Sequence, residues 1–312
     1  MAPTGSERKA IDADAPIDEH SSSPLRADAP TLVPVTLTVS IVTYQPDLVL
    51  LDRCLGTLAK ALDAARDDGA LRAANVVLVD NTASRATAEA VVRLGQARFK
   101  DSGVTMNYLH RHANIGYGSA HNLVMHGGNT HYHLVLNPDV ELAPDALIAG
   151  LRFLDAHREV GVLAPAASGP DGEREFLCKR YPTVLDLTLR GFVPSALRRL
   201  FRKRLERYEM RDAIALASAD GLVSPVPMMS GCFMLVRRNA VEATGGFDPN
   251  YFLYFEDFDW SVRLNHVTQS AYVPSVRIVH HGGGASRKGW RHVVEFAKGA
   301  VRFFNKHGWK WA

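Results

Sequence analysis

From Leu32 onward, short β-branched and aliphatic runs alternate with longer stretches whose apolar positions recur at helical spacing. Val35 to Val42 predicts a strand and Pro46 to Ala65 a helix; Asn75 to Val79 predicts a buried strand and Ala86 to Phe99 a second helix. Val104 to Leu109, Gly116 to His126, Leu134 to Leu136, Pro144 to His157 and Val160 to Ala164 continue as strand, helix, strand, helix and strand. This βαβα succession implies an α/β fold with a mainly parallel central sheet and helices on both faces. Ligands of such sheets bind beyond the carboxyl ends of the strands. Polar residues stand at those ends: Thr43-Tyr44, Asp80-Asn81 and Asn137-Pro138-Asp139. A single Asp after a strand is ordinarily a turn residue or a helix cap. Three polar sites on one expected rim predict a nucleotide site.

After Pro165 the rhythm breaks. Arg180 to Tyr208 is strongly basic and amphipathic, and two readings stay open for it: a solvated helix face, or a surface for an anionic membrane or a phosphate-bearing acceptor. Ser230 to Arg237 predicts a strand, and Gly245-Gly246-Phe247-Asp248-Pro249 a turn leading into Phe252-Leu253-Tyr254-Phe255-Glu256-Asp257-Phe258-Asp259-Trp260. Carboxylates among aromatics again allow two readings. They form the acidic first turn of a helix, or they include a carboxyl whose pKa is raised by apolar walls toward the range of a general base.

Two more segments carry candidate chemistry. Asn114-Ile115-Gly116-Tyr117-Gly118 has glycines two apart before a helix, but position 121 is His where a dinucleotide fingerprint has its third glycine. A helix opening with two small residues still leaves room for a sugar or phosphate. His280-His281-Gly282-Gly283-Gly284 follows a predicted strand at Val276 to Val279. Paired histidines before glycines suit a metal ligand beside a backbone pocket for anionic oxygens, although either His alone is more commonly structural. Arg287 and Lys288 add positive charge suited to a diphosphate.

Composition narrows the class. The chain has 312 residues and a net charge of +3, too little for a dedicated nucleic-acid binder. Cys54, Cys178 and Cys232 are odd in number and widely spaced, which fits neither a disulfide framework nor a zinc site and points to a reducing compartment. Residues 1–31 are rich in Ala, Pro, Ser and Asp and read as a disordered arm, without the apolar core of a signal peptide. No apolar run reaches the length of a membrane span.

In their order, Val39-Ser40-Ile41-Val42-Thr43-Tyr44, Val79-Asp80-Asn81, Asn114 to Gly118, Leu136-Asn137-Pro138-Asp139, Gly245-Gly246-Phe247-Asp248, Tyr254 to Asp259 and His280-His281 resemble the motifs of family 2 glycosyltransferases. The likeness runs from about Val35 to Arg287 and favours the rhamnosyltransferase-like branch that builds bacterial surface polysaccharides. It implies a GT-A fold with an elaborated C-terminal half. Residues 32–165 would be a nucleotide-sugar-binding half, and residues 166–312 an acceptor-binding and catalytic half with C-terminal helices. It also implies inverting transfer from a nucleoside-diphosphate sugar, best matched by dTDP-rhamnose, to a lipid-linked or glycan acceptor, assisted by Mg or Mn. The location implied is cytoplasmic, with peripheral contact on the inner face of the membrane as one reading of the basic stretch.

By the same resemblance Asp257 is the catalytic base with Glu256 beside it. Asp139 is the last acid of an Asp-x-Asp metal motif whose first acid is here Asn137, and His280 is a further metal or diphosphate ligand. Asp80 contacts the nucleotide base and Thr43 lines its pocket, with Tyr44, Asn81, Asn114, Gly116, Asn137 and Arg287 joining them. Asn265 to Ser270 departs from the family, which often has a Gly there, so a different local turn is expected. One rival is a sugar-phosphate nucleotidylyltransferase, which needs an early Gly-rich loop; Thr43-Tyr44-Gln45-Pro46-Asp47 has no glycine. Another is a nucleotide-sugar-binding protein that has lost catalysis, against which the joint presence of Asp139 and Glu256-Asp257 argues.

Overall fold

The alternation within single strands explains the layering of the fold. In Tyr132–Leu136, Leu134 and Leu136 face one core while Val135 faces another; in Phe233–Arg237, Phe233 and Leu235 face the first core, Met234 and Val236 the second. Both faces of the sheet are covered, so its strands read as continuous apolar runs rather than as alternating ones. The computed structural model describes residues 35–100, 102–111, 113–191, 193–216, 225–282 and 290–312.

Chain order is β1 (Val35–Thr43), α1 (Leu48–Asp67), β2 (Leu71–Asp80), α2 (Arg85–Phe99), β3 (Thr105–His110), α3 (Tyr117–Met125), β4 (Tyr132–Leu136), β5 (Val140–Leu142), α4 (Ala146–Ala156) and β6 (Val160–Ser168). There follow β7 (Arg174–Glu175), β8 (Cys178–Lys179), α5 (Val184–Gly191), α6 (Ser195–Arg198), a 3-10 turn at Arg199–Phe201, α7 (Arg202–Tyr208) and α8 (Arg211–Leu216). The chain then forms β9 (Met228–Met229), β10 (Phe233–Arg237), α9 (Arg238–Thr244), α10 (Glu256–Asn265), β11 (Gln269–His280) and α11 (Trp290–His307).

The nine-stranded sheet runs β3-β2-β1-β4-β10-β6-β11-β5, with β7 on the side of β6. The first four of these strands are parallel, as the βαβα pattern predicts. Beyond β4 the sheet is mixed: β10 lies antiparallel between β4 and β6, and β11 is parallel to β6 but antiparallel to β5. β6 crosses position 165, so the two halves of the chain share one sheet. Leu32–Ala312 is one compact unit.

Three local features position the site. The carboxyl ends of β1, β2 and β4 lie on one rim because these strands are parallel neighbours, with Thr43 opposite Asp80 and Ile41 opposite Leu136. β11 is twelve residues long and shifts register between Val273 and Arg277, around Pro274; a proline is tolerated at such an irregularity. That long strand carries His280 across to Val140, next to Asp139. Finally, α10 ends without glycine, the amides of His266 and Val267 bonding back to Arg263 and Leu264.

The basic stretch is not one continuous helix but α5, α6, the 3-10 turn and α7. Part of its charge is paired internally, Arg204 with Asp186 at 2.6 Å and Arg180 with Asp212 at 2.9 Å. Among the described residues no helix is long and apolar enough to cross a membrane. All three cysteines are buried and free.

Candidate active site

A cleft of about 550 Å³ opens at the rim, lined among others by Tyr44, Gln45, Asn81, Thr82 and Asn114. Behind that lining, Asp80 is fully buried and its carboxylate accepts three hydrogen bonds: from the Thr43 hydroxyl (3.1 Å), the Thr82 amide (2.9 Å) and the Tyr108 hydroxyl (2.9 Å). Thr43 and Asp80 therefore brace the cleft from within instead of lining it. Asn81 supplies the open valence. Its amide nitrogen donates to Asn114 Oδ1 and the Gly116 carbonyl, while its own Oδ1 is buried without a partner. A buried acceptor left empty is costly unless something fills it. Gln45 and Thr82 escaped the sequence reading; each follows a strand-end residue that was read, and polar type alone did not separate them from ordinary turn residues.

Gly116 is not in the cleft wall. It caps α3 at φ +90°, and a Cβ there would lie 2.6 Å from the Phe252 carbonyl oxygen. The room expected for a sugar or phosphate is filled by the protein itself, and the Tyr117 amide donates to that same carbonyl at 3.0 Å. The Gly-x-Gly segment thus docks onto the start of the acidic aromatic segment.

That segment turns through two consecutive left-handed residues, Tyr254 (φ 68°) and Phe255 (φ 67°). Each costs about 1–2 kcal/mol for a residue bearing a Cβ. Phe255 is held there by Phe258, Phe296 and Phe303, ring to ring at 5.0–5.6 Å. The turn delivers Glu256 and Asp257 to the first turn of α10, as the helix-start reading has it, and both acids are at the same time shielded from solvent. Glu256 is buried, with Oε2 unpartnered. Burial and then the charge of Asp257 push its pKa up. Asp257 is half-buried; its Oδ2 accepts from the Gly231 amide (3.0 Å) and its Oδ1 from the Phe258 amide (2.9 Å). Burial raises its pKa too, opposed by those amides. Asp259 points elsewhere and pairs with Arg263, Lys306 and His307 at 2.7–2.8 Å.

Asp139 and His280 meet as the sequence suggests. His280 Nε2 stands 3.8 Å from Asp139 Oδ1, too long for a hydrogen bond, and that oxygen is buried with no hydrogen-bond partner. Glu175 bonds the other ring nitrogen, Nδ1, at 2.9 Å, which leaves Nε2 free to face the carboxylate. A Cβ at Gly282 would lie 2.5 Å from that nitrogen and 2.8 Å from Asp139 Oδ2, so the space between them is open only because position 282 is glycine. An orphaned carboxylate oxygen and an imidazole across a gap fit a divalent cation. Among the described residues no cluster of three or more His, Cys, Asp or Glu side chains surrounds such a point. His281 belongs to the scaffold, bonding Glu141 at 2.6 Å, while its amide donates to the Asp139 carbonyl. Arg287 and Lys288 lie outside the described residues. Glu175 was missed because a two-residue strand shows no periodicity.

Between the two acids lies Tyr117, whose hydroxyl is 2.9 Å from Asn137 Oδ1 and 2.8 Å from the Gly231 carbonyl. The rim, the Asn137-Pro138-Asp139 turn and the Glu256-Asp257 pair are thereby one connected constellation.

No family model matches the chain. A 258-residue stretch, 78% of this chain and 76% of the relative, is 30% identical to the N-acetylglucosaminyl-diphospho-decaprenol L-rhamnosyltransferase of Mycobacterium tuberculosis. Rhamnosyltransferase WbbL of Escherichia coli is 24% identical over 152 residues, 48% of this chain and 52% of that protein. Among solved structures, mannosyltransferase PcManGT from Pyrobaculum calidifontis, in complex with GDP-Man and Mn2+, superposes with a TM-score of 0.55 at 18% identity. That match covers 86% of this chain and 65% of the other. TarS of S. aureus gives a TM-score of 0.52 at 14% identity, over 86% of this chain and 40% of that one. At such identities the structures speak for the fold, which is GT-A, and the mycobacterial relative for the family. On the strength of that relative and of the shared fold, this protein is a glycosyltransferase and belongs to the rhamnosyltransferase-like branch of family 2.

Proposed function

We propose that the protein is an inverting transferase that moves rhamnose from its dTDP form onto a lipid-linked or polysaccharide acceptor in bacterial surface glycan synthesis. The sugar and the lipid-linked acceptor are those in the name of the mycobacterial relative, and the dTDP carrier is the one the sequence resemblance implies. The observation that carries the chemistry is Asp257: a partly buried carboxylate fixed by two backbone amides, with buried Glu256 beside it. Two adjacent buried acids hold one charge more readily than two. Glu256, the more deeply buried, keeps its proton; Asp257 is the ionised member, placed to take the acceptor hydroxyl proton.

Asn81 offers its unpartnered oxygen to the donor, with Tyr44 and Asn114 beside it and Thr43 and Asp80 bracing them from behind. Asp139 and His280 would hold Mg or Mn, which when bound offsets the charge of the departing diphosphate. Glu175 fixes the His280 ring so that Nε2 is the free nitrogen.

Asp257→Asn tests the assignment. Transfer from dTDP-rhamnose to a polyprenyl-diphosphate-linked acceptor should fall by a factor of about 10² or more. The rise in melting temperature produced by the donor should persist, since the variant keeps its cleft. Near-normal turnover would remove Asp257 from the base role. Donor binding by the unaltered protein without turnover on any acceptor would favour the binding-protein alternative.

A further inference from the structure

The acid missing from the first position of the metal motif has a structural replacement, and Tyr117 shows what it does. The Tyr117 hydroxyl lies 2.9 Å from the side-chain oxygen of Asn137 and 2.8 Å from the Gly231 carbonyl. A phenol has one proton and can donate to only one of two acceptors. A half-turn of the Asn137 amide exchanges its oxygen and nitrogen at nearly unchanged shape. The conflict then disappears: Asn137 donates to the Tyr117 oxygen, and Tyr117 donates to Gly231.

The ring closes through the backbone. The Asn137 amide donates to the Cys232 carbonyl at 2.8 Å, and the Gly231 amide donates to Asp257 Oδ2 at 3.0 Å. Tyr117 also grips the far end of the acidic segment, its amide donating to Phe252. Packing is tight at the junction: a Cβ on Gly231 would lie 3.3 Å from Asp257 Cβ and 3.4 Å from Tyr117 Cε1. Gly231 is thus held at its N–H, in the peptide before it, by the Asp257 carboxylate, and at its carbonyl, in the peptide after it, by Tyr117.

We propose that Asn137 acts as a hydrogen-bond donor to Tyr117, not as a weakened metal ligand, and that Tyr117 is a positioning residue that passes this order through Gly231 to Asp257. The proposal rests on Asp257 being the base. An acid at position 137 would be a second acceptor competing for the Tyr117 proton. It would leave the Gly231 carbonyl unpaired and set another negative charge near Asp139 and Asp257. Asn therefore lets the Tyr117 hydroxyl and the Gly231 carbonyl both be paired at this junction.

The test compares Asn137→Asp, Tyr117→Phe and their combination with Asp257→Asn, measuring kcat, donor KM, melting temperature and Mn2+ affinity from free Mn2+ by electron paramagnetic resonance. Each single variant at 117 or 137 should lose about tenfold in kcat, the scale of one buried hydrogen bond, with donor KM held within about twofold. Mn2+ affinity in Asn137→Asp should rise by no more than the few-fold expected of an added nearby charge, without the larger gain of a new ligand. The double variant should be no worse than Tyr117→Phe, because the competition needs the hydroxyl. A gain in Mn2+ affinity beyond that few-fold, with full turnover in Asn137→Asp, would overturn the proposal, and so would unchanged kcat in Tyr117→Phe. If Tyr117→Phe does not fold, the Mn2+ affinity and turnover of Asn137→Asp decide the matter alone. Normal turnover by Asp257→Asn would sink the base assignment instead; the donor role of Asn137 is still decided by the Mn2+ titration.

Discussion

Glu256 and Asp257 are neighbours in sequence with opposite duties, and burial separates them. Glu256 is 5% exposed with an unpartnered oxygen, and its pKa is raised first by burial, then by Asp257. An unfolded Glu releases its proton near pH ~4.3. Above that pH, and up to its raised native pKa, the folded chain binds a proton that the unfolded chain has lost. Stability therefore falls as pH rises through this window and levels off beyond it. Glu256→Gln, which keeps the shape but cannot ionise, should flatten the melting-temperature profile between about pH 5 and pH 8. A slope equal to that of the unaltered protein would mean that Glu256 is charged at neutral pH and is not the neutral partner of Asp257.

At the scale of elements, α10 and α11 are joined by an ionic pin. Asp259, fully buried, accepts from Arg263 on its own helix and from Lys306 and His307 on α11. Phe303 and Phe304 of α11 are buried beside it with Phe255. Asp259→Ala leaves Arg263 and His307 without their shared acceptor, while Lys306 keeps Asp248 at 2.8 Å; the loss should cost about 2–3 kcal/mol, read as a lower denaturation midpoint, and a change below about 1 kcal/mol would show that the aromatic packing alone holds α11. How much of this was legible follows from length and period. β1 to β4 and α1 to α4 carry enough repeats of apolar spacing to be read, with ends displaced by a few residues. β5, three residues long, carries none, although its pairing with β11 is what brings Asp139 to His280. α11 was expected only as C-terminal helices, yet Val293, Phe296, Ala300, Phe303 and Phe304 have helical spacing and mark it. The acids were legible as chemistry, since carboxylates among aromatics are conspicuous. Tyr117 was not, because its value lies in three partners distant in sequence.

At the scale of the molecule, the described residues of α6, the 3-10 turn and the start of α7 present an apolar surface that the core does not cover. Leu197, Leu200 and Phe201 are 54%, 78% and 40% exposed, interleaved with exposed Arg199, Arg202 and Lys203. Apolar side chains flanked by cations suit the surface of an anionic bilayer, where a lipid-linked acceptor would reside. The full chain should sediment with phosphatidylglycerol vesicles and not with phosphatidylcholine vesicles, more weakly as salt rises. Combined Leu200→Asp and Phe201→Asp should release it without lowering transfer to a short water-soluble acceptor. Failure of the unaltered protein to bind anionic vesicles would refute this contact.

The seat of Phe252 against Gly116 reaches further than the site it shapes. Backbone meets backbone there, so position 116 takes no side chain unless the chain at Phe252 moves away, and the two stand more than a hundred residues apart in the chain. Exchange of segments with a relative, in the laboratory or by recombination, therefore has a forbidden interval for its breakpoint. A junction placed between residues 116 and 252 joins a lock to a foreign key, whereas one that keeps both on the same parent can carry a new acceptor surface onto an intact transfer site.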